Sequence, residues 1–142
     1  MTTDSLDVRI ERVLDASPEA AWAAWTDPAS RVVWYRDQPD HQVDAASDLR
    51  VGGAWHVQFG PWREEGVYLE LVPPIRLVST VTFSGPDVAA FTTTLTVTFE
   101  ADGDKTRFTL VDAGFPNEEI RSAHEGGWPG FVDRFAALLT PG

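Results

Sequence analysis

From Asp7 to Leu14 the chain alternates, with Val8, Ile10 and Leu14 in one phase and Arg9 and Glu11 in the other. That is the period of a strand with one buried face. Arg12 falls in the apolar phase. Ser17-Pro18-Glu19 then carries the signals of a helix start: a hydroxyl cap, a proline where no N–H is missed, and a carboxylate near the positive end. The helix runs from Pro18 to Thr26 and places Trp22 and Trp25 on one side. Asp27-Pro28 repeats the cap and proline and opens a second short helix through Val32, Val33, Trp34 and Tyr35.

From His41 to Leu110 the pattern is one of strands divided by turn chemistry. The segments are His41 to Ala46, Gly53 to Phe59, Glu65 to Val72, Arg76 to Phe83, Phe91 to Glu100 and Lys105 to Asp112. Gly52-Gly53, Gly60-Pro61, Pro73-Pro74, Gly85-Pro86 and Asp102-Gly103 separate them. Connections this short require antiparallel pairing, because a parallel crossover needs a dozen or more residues. In the last hairpin Leu95, Val97 and Phe99 oppose a threonine-rich face of Thr94, Thr96 and Thr98.

After Phe115-Pro116, Asn117 caps a final helix whose first turn holds Glu118 and Glu119. Ile120, His124, Trp128, Phe131, Phe135 and Leu138 recur at spacings of three and four, a single apolar stripe that reaches Leu139. Gly126-Gly127-Trp128-Pro129-Gly130 interrupts it, and Pro129 removes the hydrogen bond to the carbonyl of Glu125, which predicts a kink or a break. The fold class is therefore α+β: about seven antiparallel strands curved around a long C-terminal helix, with two short helices after the first strand.

Composition narrows the function classes. The 142 residues predict one domain over 1–142. There are no cysteines, which excludes disulfides and thiolate chemistry, and no leader-like or membrane-spanning segment is evident, so the expected setting is cytoplasmic. A formal charge of −11 repels phosphate backbones and anionic lipid, so neither nucleic acid nor a membrane is expected as a partner. Six tryptophans and eight phenylalanines suit a core that fills, or partly lines, a wide interior.

The order of elements is that of the helix-grip fold, and particular residues carry a closer likeness. They are Ala16-Ser17-Pro18-Glu19 with Trp22, then Trp25-Thr26-Asp27-Pro28, Trp34, and Asp48-Leu49-Arg50-Val51-Gly52-Gly53. Gly66 with Glu70, Pro73-Pro74-Ile75-Arg76-Leu77, Thr106-Arg107 and Gly127-Trp128 follow in the same order. Through these the chain resembles the START-like (SRPBCC) superfamily, which includes Bet v 1, and within it the bacterial single-domain proteins related to the C-terminal domain of the activator of Hsp90 ATPase (AHSA1-like). The resemblance implies a small, hydrophobic-ligand-binding protein. It also admits an enzyme of the polyketide cyclase or aromatase type using the same pocket, and a protein associated with an Hsp90-type chaperone. Pro129 and Ile75 depart from the usual pattern.

No sequence motif of known catalytic mechanism is present, so no catalytic residue is assigned. His41, His56 and His124 lack metal-ligand spacing; neither a metal nor a cofactor is expected. The candidate ligand-binding set begins with polar residues in apolar phases: Arg12, Glu70, Asp112 and His124. Burying any of these requires a partner or a wet cavity. His124 and Asp112 together could orient or protonate a ligand, or form a structural pair. Trp34 and Tyr35 are placed as a lid over the pocket mouth, and Trp55, Phe59, Phe99, Phe108, Trp128 and Phe131 as its lining. The expected partner is a small apolar or amphipathic molecule; self-association into a homodimer through a sheet edge is left open.

Overall fold

The computed structural model describes residues 6–139. The first strand, β1 (Asp7–Leu14), is followed by α1 (Pro18–Thr26) and α2 (Pro28–Trp34). Strands β2 (Val43–Ser47), β3 (Ala54–Phe59), β4 (Trp62–Val72), β5 (Arg76–Gly85), β6 (Val88–Asp102) and β7 (Lys105–Ala113) come next, and α3 (Glu118–Leu139) is the last of the described elements. The strands form one antiparallel sheet in the order β1-β7-β6-β5-β4-β3-β2, so every neighbour except β1 and β7 is a sequence neighbour. The first and last strands of the chain are joined through that exception, with Val8 opposite Asp112.

The caps act as their chemistry requires. The Ser17 hydroxyl accepts from the N–H of Ala20 at 3.2 Å, Asp27 accepts from Ala29 at 3.0 Å, and Asn117 accepts from Ile120 at 2.9 Å. Each satisfies a donor that the first turn of a helix leaves open. The long helix α3 lies against β1, α1 and α2, while α1 also touches β6 and β7. Between them is an aromatic centre: Trp25 stacks on Trp34 at 4.4 Å and meets Phe135 edge-on at 5.1 Å and Phe108 at 5.4 Å.

Three expectations are corrected here. The helix α3 runs unbroken through Gly126 to Gly130, with Pro129 inside it. Trp128, Val132 and Phe135 are buried on either side of the proline, and that packing outweighs the one lost hydrogen bond. Leu138 is 41 % exposed; the stripe instead ends on Val132, Phe135 and Leu139. Strand β4 starts at Trp62, three residues before the predicted Glu65, which brings Glu64 into the sheet.

Two glycines are set by close approach. A side chain at Gly53 would lie 2.0 Å from the carbonyl oxygen of Asp48, and one at Gly66 would lie 1.9 Å from that of Thr80. Because the obstacle at Gly66 is backbone on the neighbouring strand, Gly66→Ala must push β4 and β5 apart. We expect it to lower stability by about 2 kcal/mol in urea unfolding, the usual scale for overpacking. An unchanged midpoint would show that the pair separates freely.

Candidate functional site

Helical and strand periodicity together assemble the site. On α2 and its C-cap, Arg31 and Tyr35 are four residues apart and project from one face. On β4, Glu64 and Tyr68 share the inward phase, and both are buried. Tyr35 Oη donates to Glu64 Oε1 at 2.6 Å. Arg31 Nη2 donates to Tyr68 Oη at 3.1 Å, Arg31 Nε donates to the carbonyl of Trp25 at 2.8 Å, and Tyr68 Oη also pairs with Ser47 Oγ at 2.7 Å. The Arg31 guanidinium lies 5.1 Å from the centre of the Trp55 ring. Polar groups are thus threaded through an otherwise apolar interior.

In front of the Tyr35–Glu64 pair is a pocket of about 360 Å³. The helix α3 forms one wall through Ile120, Ala123, His124, Gly127, Trp128 and Phe131, and the sheet forms the other through Phe59, Trp62, Phe83, Val88 and Phe91. Asp37 and Glu119 complete the lining. The Trp62 ring can fold over its neighbour because position 85 is glycine: a side chain there would lie 2.1 Å from the indole. Trp62 then stacks on Phe83 at 5.5 Å, and His124 meets Phe83 edge-on at 4.9 Å.

Burial pushes the Glu64 carboxyl up to about 7; repulsion from Asp112 adds to this, while the Tyr35 hydrogen bond and the Arg31 charge oppose it. Burial also raises Tyr35 well above the ordinary phenol value, with the Glu64 charge in the same direction and Arg31 against. The result is a neutral phenol and a carboxyl poised between its two forms near neutral pH, sharing one short hydrogen bond at the end of an apolar pocket.

Residues 15–140 match the family model described as activator of Hsp90 ATPase homolog 1-like protein (AHSA1). This chain belongs to that family. Among solved structures, protein CV1439 from Chromobacterium violaceum is 28% identical, with a TM-score of 0.81, over 96% of this chain and 98% of that one. CalU16 from Micromonospora echinospora is 22% identical with a TM-score of 0.70, covering 99% of this chain and 88% of its own. DynU16, from the dynemicin biosynthetic locus, is 22% identical with a TM-score of 0.75, over 94% of this chain and 46% of that one. These last two likenesses concern the fold. No curated protein matches the chain.

Within this AHSA1-like frame, five of the sequence candidates line the pocket: Tyr35, Phe59, His124, Trp128 and Phe131. The others lie elsewhere. Trp34 is no lid; it is 1 % exposed, stacked on Trp25, with its indole N–H donating to the carbonyl of Ala24 at 3.1 Å. Tyr35 is likewise an inner wall and not a cover. Phe99 and Phe108 pack with Trp22 and Trp25 on the far side of the aromatic centre, and Trp55 lies under Arg31. Arg12 does face the helix, but it ends in an ion pair with Asp133 at 2.6 Å at the half-exposed margin of the sheet.

Asp112 and His124 do not bond to one another. Asp112 Oδ2 accepts from the Trp128 indole N–H at 3.0 Å, and His124 Nδ1 is 3.1 Å from the carbonyl of Ile120 in its own helix. Burial raises the Asp112 carboxyl above its usual range, opposed by its polar contacts with Thr93 and Trp128 and by the field of His124. Asp112 therefore fixes a pocket-wall tryptophan from behind. Glu70 is outside altogether, half-exposed beside Arg76 at 3.2 Å, because a bulge between Tyr68 and Glu70 reverses the strand phase. Sequence reasoning missed Glu64. Counting backward from Tyr68 in steps of two, away from the bulge, reaches it. The histidines His41 and His56 pair with Asp37 and Asp44, and no group of three metal-ligating side chains occurs among the described residues.

Proposed function

We propose that this AHSA1-like protein binds a small, largely aromatic molecule between α3 and the sheet, oriented by one polar group that meets Glu64. What supports this reading most is the pocket itself. It has seven aromatic walls, from Tyr35, Phe59, Trp62, Phe83, Phe91, Trp128 and Phe131, and a single buried carboxyl–phenol pair at its end. Small-molecule sites have that composition, mostly apolar with a few placed polar groups.

Gly127 provides the test. Glycine inside a helix costs about 1 kcal/mol relative to alanine, yet a side chain at this position would meet nothing within 4 Å. Gly127 is also one of the residues that line the pocket. Gly127→Phe should therefore fill the cavity without loss of stability. A neutral fluorescent reporter such as N-phenyl-1-naphthylamine should bind the natural chain and bind the variant at least about tenfold more weakly, the scale of lost apolar contact. Equal binding by the two would place the reporter elsewhere and remove the support for this site. Native mass spectrometry of protein purified from its own host would then identify the molecule it retains.

A second reading is favoured by one observation. A carboxyl whose pKa is about 7 is equally able to give and take a proton at neutral pH. In that reading Glu64 transfers a proton at the polar end of the bound molecule while Tyr35 holds it in place. His124 and Asp112, expected from sequence to be able to orient or protonate a ligand together, bond instead to the Ile120 carbonyl and the Trp128 indole. Exchange of a ligand proton for deuterium, abolished by Glu64→Gln while the ligand remains bound, would distinguish an enzyme from a carrier.

A further inference from the structure

The charge of the ligand can be read from what the pocket lacks. Its ionisable lining groups are Asp37, Glu64, Glu119, Tyr35 and His124, with no lysine or arginine among them. We propose that the molecule held there is a cation, an aromatic or amphipathic amine whose protonated nitrogen reaches the free oxygen of Glu64. This rests on the pocket being a binding site, as argued above.

Glu64 is 7 % exposed, and among the described residues only Oε1 has a hydrogen-bond partner, the Tyr35 hydroxyl. Oε2 is left for whatever enters. An ionised carboxylate this deep needs a cation to offset its desolvation. The protein's own cation, Arg31, stands behind the pair and is held by the Trp25 carbonyl, Tyr68 and the Trp55 ring, so it does not reach the cavity. A ligand carboxylate would find only acids and one imidazole, and would be repelled.

Two further features favour a positive group. Trp62, Phe83 and Trp128 are among the lining residues, and an ammonium group is attracted to the π density of aromatic rings that it approaches over the face. Asp37 and the exposed Glu119 stand on the same lining, and the chain as a whole carries −11, so a cation is drawn inward at each stage.

Three probes of one shape test this: 1-naphthylmethylamine, 1-naphthylmethanol and 1-naphthoate, titrated calorimetrically into the full chain at low salt. The amine should bind at least about tenfold tighter than the alcohol, as expected for a charge-assisted hydrogen bond, and the carboxylate should bind most weakly. Glu64→Gln should bring the amine-to-alcohol ratio close to one. Should that variant fail to fold, the rim pair Asp37→Asn with Glu119→Gln should lower the same ratio by a smaller factor. An alcohol that binds as tightly as the amine, or a carboxylate that binds tightest, overturns the cation while leaving the pocket as a binding site. Binding of none of the three overturns the pocket reading itself, and the cation with it.

Discussion

Trp25→Ala is expected to remove about 4 kcal/mol of folding stability, the range found when a buried aromatic is truncated without collapse of its surroundings. Trp25 is 2 % exposed and is the hinge of the aromatic centre, in contact with Trp34, Phe108, Trp128 and Phe135. These partners come from α2, β7 and α3, so the indole, itself on α1, ties three other elements together. Its neighbours are rigid rings in stacked and edge-on arrangements and cannot close the space by rotating. For a chain of this size the loss corresponds to a fall in Tm of roughly 10–15 °C. In urea the midpoint should drop with an unchanged slope, since the unfolded chain is affected little. Trp25→Phe should recover part of the loss. A loss below about 1 kcal/mol would show that α1 and α2 dock on the sheet independently of this ring.

The effect should also reach the pocket. Trp128 lines the cavity on one side and stacks against Trp25 at 6.4 Å on the other, while its N–H is held by Asp112. Tyr35 adjoins Trp34 at 4.5 Å. The walls that a ligand touches are thus the front row of the same aromatic assembly that stabilises the fold. This is why Phe99 and Phe108 could be selected from sequence as lining, and Trp34 as a lid, and yet all three lie behind the pocket wall. Periodicity reports which face of an element is buried, but not how many layers deep a residue sits on that face.

Much of the architecture was legible because local and global signals agree. Both short helices carry their own caps and prolines, at Ser17-Pro18 and Asp27-Pro28, and each begins where those residues predict. The hairpin of β6 and β7 alternates cleanly, and its register places Phe99 opposite Phe108. Where the reading failed, a single extra residue or a tertiary contact was responsible. The bulge in β4 turned Glu70 outward, and a strand start expected at Glu65 left Glu64 outside the sheet. Pro129 signalled a break that the packing of Trp128 and Val132 overrides. His124 was placed on the right face, but no sequence pattern could show that its Nδ1 is turned back to the carbonyl of Ile120, because that depends on a rotamer. Arg31, the buried cation behind the pocket, has no sequence signature: it follows Pro28-Ala29-Ser30 on a short helix and reads as a surface residue until Tyr68 and Trp55 close around it.

The second large effect is a dependence of stability on pH that belongs to Glu64. In the folded chain this carboxyl titrates at about 7, against 4.5 for an unburied glutamate. A folded value above the unfolded one means that the neutral form is favoured by folding. The stability associated with it is complete below the unfolded value and is lost as pH rises through the folded value. Between pH 4.5 and pH 7 that loss amounts to about 3 kcal/mol. The groups that face this carboxyl are Tyr35 and Arg31 from α2, Asp112 from β7 and, at the same cavity, His124 from α3. Asp112 is raised by burial and contributes in the same sense, so Asp112→Asn serves as the comparison. Urea unfolding from pH 4 to pH 8.5 should show the natural chain losing stability relative to Glu64→Gln by about this amount, with most of the divergence complete by pH 7.5. Parallel curves would place the Glu64 carboxyl in contact with water and undo the account of its environment. The predicted divergence has a functional meaning. Above neutral pH the empty protein holds a desolvated negative charge that its own Arg31 only partly offsets, and a cation entering the pocket would remove that cost. Ligand binding should then raise the unfolding midpoint more at pH 8 than at pH 5, and this difference should vanish in Glu64→Gln.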